Sequence, residues 1–221
     1  LSNNADLRFS AKFHRDSGNF VMQELTSRTD KKIKHYLAEP IVLGASISPD
    51  DFDKDGDAYY ISMASIKTLT LELDDTQHIS QEYFEKNQSK TLRKNDIIIA
   101  RSGVAIGKTA IVKNDFPGVF ADFTMRIRLK DYNPEFAYYY FRTTYFQYLI
   151  EIYKKGLQNQ NIFPVVIREF PMLNISLEEQ QRIVDEIHAE IAKQDEIKKQ
   201  IESLRGQIDV LIQDVLTSSQ G

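Results

Sequence analysis

The sequence predicts an α+β fold: a mixed, barrel-like β-sheet with flanking helices, followed by one long helix able to form a coiled coil. Three observations predict it. Short apolar runs with strand character cluster in the middle of the chain, over 96–101, 108–112 and 123–129. An aromatic helical pattern follows from Pro134. Beyond Ser176 a heptad repeat continues almost to the last residue. The 221 residues suit one globular domain, typically about 100–200 residues, plus an appendage. The expected division is a lead-in over 1–18, a domain over 19–175 and a long helix over 176–221.

Residues 19–36 mix charge with Phe20, Val21, Leu25 and Ile33, a pattern read as a strand and then a short helix. The run Asp50 to Asp57 is a polar loop. Its alternating carboxylates, with Gly56 sixth from Asp51, resemble a calcium loop, but Ser62 stands where the twelfth-position Glu belongs. Ala58 to Met63 reads as a strand and 81–89 as a helix. The strand over 123–129 places Phe123, Met125, Ile127 and Leu129 on one face, and Thr124, Arg126, Arg128 and Lys130 on the other. Those basic residues form either a solvated outer face or a surface turned toward phosphates. The aromatic helix spans 135–153, and Lys154, Lys155 and Gly156 end it, since cations and a left-handed Gly favour a helix C-terminus. The amide run Gln158, Asn159, Gln160 and Asn161 follows, and then a strand through Val165, Val166 and Ile167.

Ser176 with Glu179 forms a capping box for the last helix, whose interior is free of Pro and has Gly206 as its weak point. Steps of four and three from Ile183 reach Ile187, Glu190, Gln194, Ile197, Ile201, Leu204, Ile208, Leu211 and Val215. Eight of those ten positions are apolar, which makes a seam for a second helix. Glu190 and Gln194 either set register within it or mark where the helix lies on its own domain.

Charge is unevenly spread. The whole chain has a formal net charge of −4. Residues 93–168, however, carry twelve Lys/Arg against six Asp/Glu, while 46–86 carry three against ten. Local charge decides what docks where, so the middle of the chain is the part suited to a polyanion. There is no Cys, which excludes disulfides and thiolate metal sites and suits a reducing cytoplasm. The four His are scattered, and no metal site is expected. No apolar stretch approaches the ~20 residues that span a bilayer, so no membrane is expected. Nothing looks catalytic: the Asn/Asp-Pro-Pro-aromatic motif of amino-methyltransferases is missing, as is a cofactor-binding Gly-rich turn. Gly103 to Thr109 ends like a phosphate loop, but three residues separate the glycines where four are needed, and a strand follows.

Three stretches in order resemble the target-recognition domains of type I restriction-modification specificity subunits. Leu92 to Val112, with Ala100-Arg101-Ser102-Gly103 and Gly107-Lys108, resembles that family's hairpin with its A/S-R-S-G and G-K signature. Gly156 to Ile162 is similar to its Gln/Asn-x-Asn-Ile turn after an aromatic helix. Phe170-Pro171-Met172-Leu173 and Glu178-Glu179-Gln180-Gln181 resemble its approach to a long helix, with Asn174-Ile175-Ser176 replacing a second proline stretch. The resemblance covers roughly 40–217. Such subunits carry two recognition domains and two long helices, and this chain has one of each. It is expected to be a half-unit, either pairing with itself or with a second recognition half, or forming the tail of a longer polypeptide. Arg8 to His14 is similar to the junction that follows an adenine methyltransferase domain, and the first residue is Leu rather than Met.

The resemblance implies sequence-specific binding of double-stranded DNA that directs an adenine methyltransferase, and a nuclease, to a target. S-adenosylmethionine would then bind in a partner or a fused domain. Arg grips guanine and Asn or Gln grips adenine bidentately in the major groove. Arg101, Ser102, Gln158, Asn159, Gln160 and Asn161 are therefore the base-reading candidates. A tight turn at Ser102 and a hydrogen-bonded turn over 158–161 are the structural alternatives. Lys108, Arg126, Arg128, Lys154 and Lys155 are the phosphate candidates. The setting would be a bacterial or archaeal cytoplasm. Two other readings stay open: the recognition region of a single-chain adenine methyltransferase or restriction-methylation enzyme, and a module that acts through its coiled coil alone.

Overall fold

In a computed structural model the described residues are 16–67, 71–74, 76–156 and 160–218. They fall into two compact units, one ending at Leu177 and one beginning at Glu178. No helix among the described residues is long and apolar enough to cross a membrane.

The first unit opens with helix α1 (Asp16–Arg28), followed by a 3-10 turn at Ile33–His35. This corrects the strand expected near residue 20: Val21, Met22 and Leu25 recur at helical spacing, Leu25 is buried, and α1 packs against α4. Among the described residues seven short strands follow: β1 (Val42–Leu43), β2 (Ala58–Ile61), β3 (His78–Ile79), β4 (Ile97–Ala100), β5 (Thr109–Ile111), β6 (Gly118–Phe120) and β7 (Thr124–Ile127). They make two sheets. One is antiparallel with order β1-β7-β4-β5, and the other has order β3-β2-β6 with β2 and β6 parallel. The short helix α2 (Gln81–Lys86), capped by Ser80, follows β3. The chain crosses from one sheet to the other at Gly44, where Gly44 N donates to Thr124 O and Ala45 N donates to Phe120 O. A Cβ at Gly44 would overlap the carbonyl oxygens of Phe120 and Ala121, so this crossing admits only glycine.

Register explains where the core lies. Val42, Arg126, Ile98 and Ala110 are cross-strand neighbours along one face of the four-stranded sheet. Ile98 and Ala110 pack with Ile61 and Phe120 of the other sheet. Both faces of β7 are thus covered. The alternation that suggested an outward-facing basic surface is corrected: Thr124, Met125, Arg126 and Ile127 are all buried, and within 123–129 Phe123 is the exposed residue.

The aromatic stretch forms two helices, α3 (Pro134–Phe141) and α4 (Thr144–Tyr153), where one was expected. Asn133 caps α3, its side chain accepting from Glu135 N and Phe136 N. Thr143 makes the break, donating to Tyr140 O and accepting from Phe146 N, a competition with the helix ladder that short hydroxyl side chains favour. Phe141 and Phe146 stack across it with centroids 4.5 Å apart. The run from Val165 is helix α5 (Pro164–Ile167) rather than a strand, because Pro164 at the first helical position pre-sets the backbone.

Four buried or half-buried phenols tie this unit together. Tyr60, Tyr83, Tyr132 and Tyr140 donate to the carbonyls of Ala45 (2.8 Å), Ser46 (2.7 Å), Leu173 (3.0 Å) and Pro171 (2.8 Å). Burial raises the pKa of all four, that of Tyr83 to about 12. In the unfolded chain they ionise near 10. A raised folded pKa gives stability that is complete below pH 10 and is lost as pH climbs above it. The urea midpoint is therefore expected to be level between roughly pH 8 and 9 and to fall steeply by about pH 11, and Tyr140→Phe should flatten part of that fall. A midpoint level to about pH 11 would contradict the burial of these hydroxyls.

The second unit is helix α6 (Leu177–Ser218), 42 residues and about 60 Å long. Ile183 and Ile187 are half-buried, whereas Ile197, Ile201, Leu204, Ile208, Leu211 and Val215 are 45–65% exposed along one stripe. Val210, Ile212 and Leu216 are exposed as well and widen the apolar surface in the last turns.

Candidate nucleic-acid interface

The β4–β5 connection rises from two apolar strands and ends in a 3-10 turn at Gly103–Ala105. Gly103 (φ 70°) and Gly107 (φ 85°) supply left-handed backbone that other residues adopt at a cost. From α4, Gln147 Nε2 donates to Gly107 O at 2.9 Å, and a Cβ on Gly107 would strike that same amide. The turn is held, not loose.

The amide run comes to this hairpin. Ile162 N donates to Arg101 O at 2.9 Å and Gly103 N donates to Gln160 O at 3.3 Å, so Asn161 lies beside Ser102 like a third strand. Asn161 and Lys155 exchange two backbone bonds of 2.7 Å each, which brings the end of α4 to the same place. Arg101, Ser102, Lys108, Lys155, Gln160 and Asn161 thus share one surface, although 46 residues separate its two halves. Gln158 and Asn159 lie outside the described residues.

Arg101 is half-buried and aimed. Its Nε donates to Asp122 O at 2.8 Å, and its guanidinium lies 6.0 Å from the centroid of the Phe163 ring. The other four N–H groups of that fork have no partner among the described residues. Lys108 and Lys155 are exposed and make no ion pair among the described residues. Gly156, at φ 104°, follows them in left-handed backbone. Lys154 is held instead by Glu151 at 2.5 Å, with its side chain mostly covered.

Two phosphate candidates are elsewhere, and the structure corrects them. The Arg126 side chain is 5% exposed: it pairs with Glu39, donates to Thr91 O, lies over the Phe120 ring and leaves Nε without a partner. Arg128 forms a bidentate pair with Asp96, both bonds 2.7 Å, and reaches Glu39. Desolvation and the neighbouring Arg128 lower the pKa of Arg126, while the Asp96 hydrogen bonds raise that of Arg128. Both charges are engaged by partners within the fold.

Sequence reasoning missed three exposed apolar side chains on the interface: Val104, Phe123 and Phe163. Arg101 N donates to Phe123 O, so Phe123 and Phe163 flank the arginine. Only Phe163 gave a signal, as an aromatic between a polar run and Pro164. Among the described residues no group of three or more His, Asp or Glu side chains could hold a metal ion.

Comparison with known proteins places the fold. A type I R-M system structure, solved for its complex assembly and conformational transition, matches with TM-score 0.57 at 14% identity, covering 84% of this chain and 48% of that one. The HsdS subunit from Thermoanaerobacter tengcongensis matches with TM-score 0.54 at 16% identity, covering 80% and 44%. The type IIG restriction endonuclease BpuSI matches with TM-score 0.53 at 11% identity, covering 80% and 28%. At these identities the likeness is one of fold, and the chain spans less than half the length of each. No curated protein sequence matches it. The family model for the type I restriction modification DNA specificity domain matches residues 40–204. That match spans well over half of the chain, which belongs to the type I restriction modification DNA specificity domain family.

Proposed function

We propose that this chain reads a DNA sequence for a restriction-modification system and directs an adenine methyltransferase to it, without catalysing the transfer itself. The observation that carries the reading is the joining of the Arg101 hairpin to the Gln160–Asn161 segment in one exposed, cation-bearing surface. Lys108 and Lys155 would grip phosphates, and Arg101, Gln160 and Asn161 would face base edges. S-adenosylmethionine and the reacting centre would belong to a methyltransferase partner or fused domain. α6 would pair with a second copy, or with a second recognition half, so that two readers address a split site. The complex would act in the cytoplasm of a bacterium or archaeon. The fold likeness to BpuSI supports a second arrangement, in which the reader is one segment of a single-chain restriction enzyme.

The test is binding of the full chain to duplexes selected from a randomised pool, followed by fluorescence anisotropy at several salt concentrations. The logarithm of affinity should fall linearly with the logarithm of salt as phosphate contacts displace counterions. Arg101→Ala and Gln160→Ala should each remove about 1–3 kcal/mol of discrimination between selected and altered duplexes. Lys155→Ala should weaken all duplexes alike and lower the salt slope by about one. Affinity indifferent to salt would overturn the DNA reading. Equal, sequence-independent losses in all three variants would overturn the assignment of roles.

A further inference from the structure

Val104 stands at the end of the β4–β5 turn, 110% exposed by comparison with an extended peptide. An apolar side chain so placed contributes nothing to the core, yet the turn that carries it is thoroughly fixed. Gly107 N donates to Ala100 O, Lys108 N to Ala105 O and Ile106 N to Gly103 O, while Gly103 is bonded to Gln160 and Gly107 to Gln147. The backbone is spent on presenting one branched methyl pair outward.

Width then decides what that tip can enter. Up to Ser102 the hairpin is three chains wide, because Asn161 lies alongside it. Neighbouring strands lie about 4.8 Å apart, so three backbones with their side chains exceed the ~12 Å of a major groove. Beyond Ser102 only the two arms of the turn continue, and a two-chain ribbon fits. Residues 103–107 are therefore the part that can reach the groove floor. Lys108 stands at their base, and Arg101, Gln160 and Lys155 stand at the shoulder. On that floor three kinds of edge are hydrogen-bonding groups, which Val104 cannot satisfy. The fourth, that of thymine, carries beside its O4 acceptor a C5-methyl, which takes apolar contact.

We propose that the 103–107 turn enters the major groove and that Val104 selects a thymine by packing on its C5-methyl. This rests on the DNA-reading function proposed above. It adds a specificity residue that works by methyl contact, where the others work by hydrogen bonds.

The experiment compares the selected duplex with the same duplex carrying deoxyuridine in place of thymidine, for the full chain and for Val104→Ala. Burying one methyl corresponds to about a fourfold change in affinity. The unaltered chain is expected to bind the uracil duplex about fourfold more weakly. Val104→Ala is expected to bind the thymine duplex about fourfold more weakly and to lose nothing further on uracil. Its melting temperature should be unchanged, since the side chain touches no core. Lys108→Ala should weaken both duplexes and keep the uracil penalty. An equal uracil penalty in Val104→Ala and the unaltered chain would overturn the proposal while leaving DNA reading intact. So would a selected duplex bound equally with thymine and uracil by the unaltered chain. Failure to select any duplex would overturn both.

Discussion

Asp96→Ala is expected to cost about 3–5 kcal/mol, a large share of the stability of a domain of this size. The Asp96 side chain is 1% exposed and accepts three bonds: from Arg128 Nε and Nη2 at 2.7 Å each, and from Arg93 N at 2.9 Å. Removing it leaves Arg128 and the buried Arg126 to share Glu39, a carboxylate one-third exposed. Two guanidinium groups would then lie side by side with one counter-charge, and the better covered of them already has an unpartnered Nε. Asp96→Asn should recover only a small part, because it keeps the volume and loses the charge that the fork grips. The double replacement Asp96→Leu with Arg128→Met should lie closer to the unaltered chain than either single change, since a buried pair replaced by apolar volume is often close to neutral. Urea unfolding followed by circular dichroism measures all five variants, the two single changes Asp96→Leu and Arg128→Met included. A loss under about 1 kcal/mol for Asp96→Ala would mean that Arg128 is solvated and free to hold phosphate. It follows that Arg126→Ala and Arg128→Ala would reduce DNA binding by unfolding the domain, and that such losses are no measure of an interface.

How far the sequence revealed this molecule differs from residue to residue. The central strands were legible because Ile97 to Ile99 and Thr109 to Val112 are apolar runs between turn formers, and little else suits such runs. Arg101 and Lys108 were legible as a turn's two flanks, because Gly103 and Gly107 mark where the backbone must go left-handed. The alternation at β7 gave the wrong exposure for Arg126 and Arg128 for a specific reason. Period two separates two faces but says nothing about what covers each, and here the second face meets Phe120 of another sheet. Nothing near residue 126 in the chain names Glu39 or Asp96 as partners, since those pairings depend on tertiary folding. Thr143 was hidden within an aromatic periodicity that continues across it. Val165 to Ile167 is β-branched and was read as a strand, but three residues behind Pro164 are too few for propensity to decide. Val104 looked like one more apolar residue. Its exposure follows from the crossing of the hairpin by Asn161, 57 positions later in the chain.

The seam of α6 is where a small change should have the broadest consequence. In the described structure Ile197, Ile201, Leu204, Ile208, Leu211 and Val215 form a stripe open to solvent on a helix about 60 Å long. Covering an Ile, Leu or Val side chain is worth about 1.5–3 kcal/mol, so two such stripes together exceed the cost of association. Leu204→Asp with Ile208→Asp is therefore expected to turn an assembly of two or more chains into a monomer at micromolar concentration. Removal of 197–221 should do the same. Light scattering reads the mass. Circular dichroism should fall with it in the double variant, because a helix without a packed face is marginal in water. Lys199→Asp, on the opposite side of the helix, should leave both readings as they were. The consequence for DNA is larger than the change in mass. Two linked readers bind with the second contact made intramolecular, so the monomer should lose about a hundredfold or more in affinity for a two-part site and little for either half alone. An unchanged mass and unchanged helicity in the double variant would reject self-pairing and assign the stripe to a different helix, that of a second recognition half.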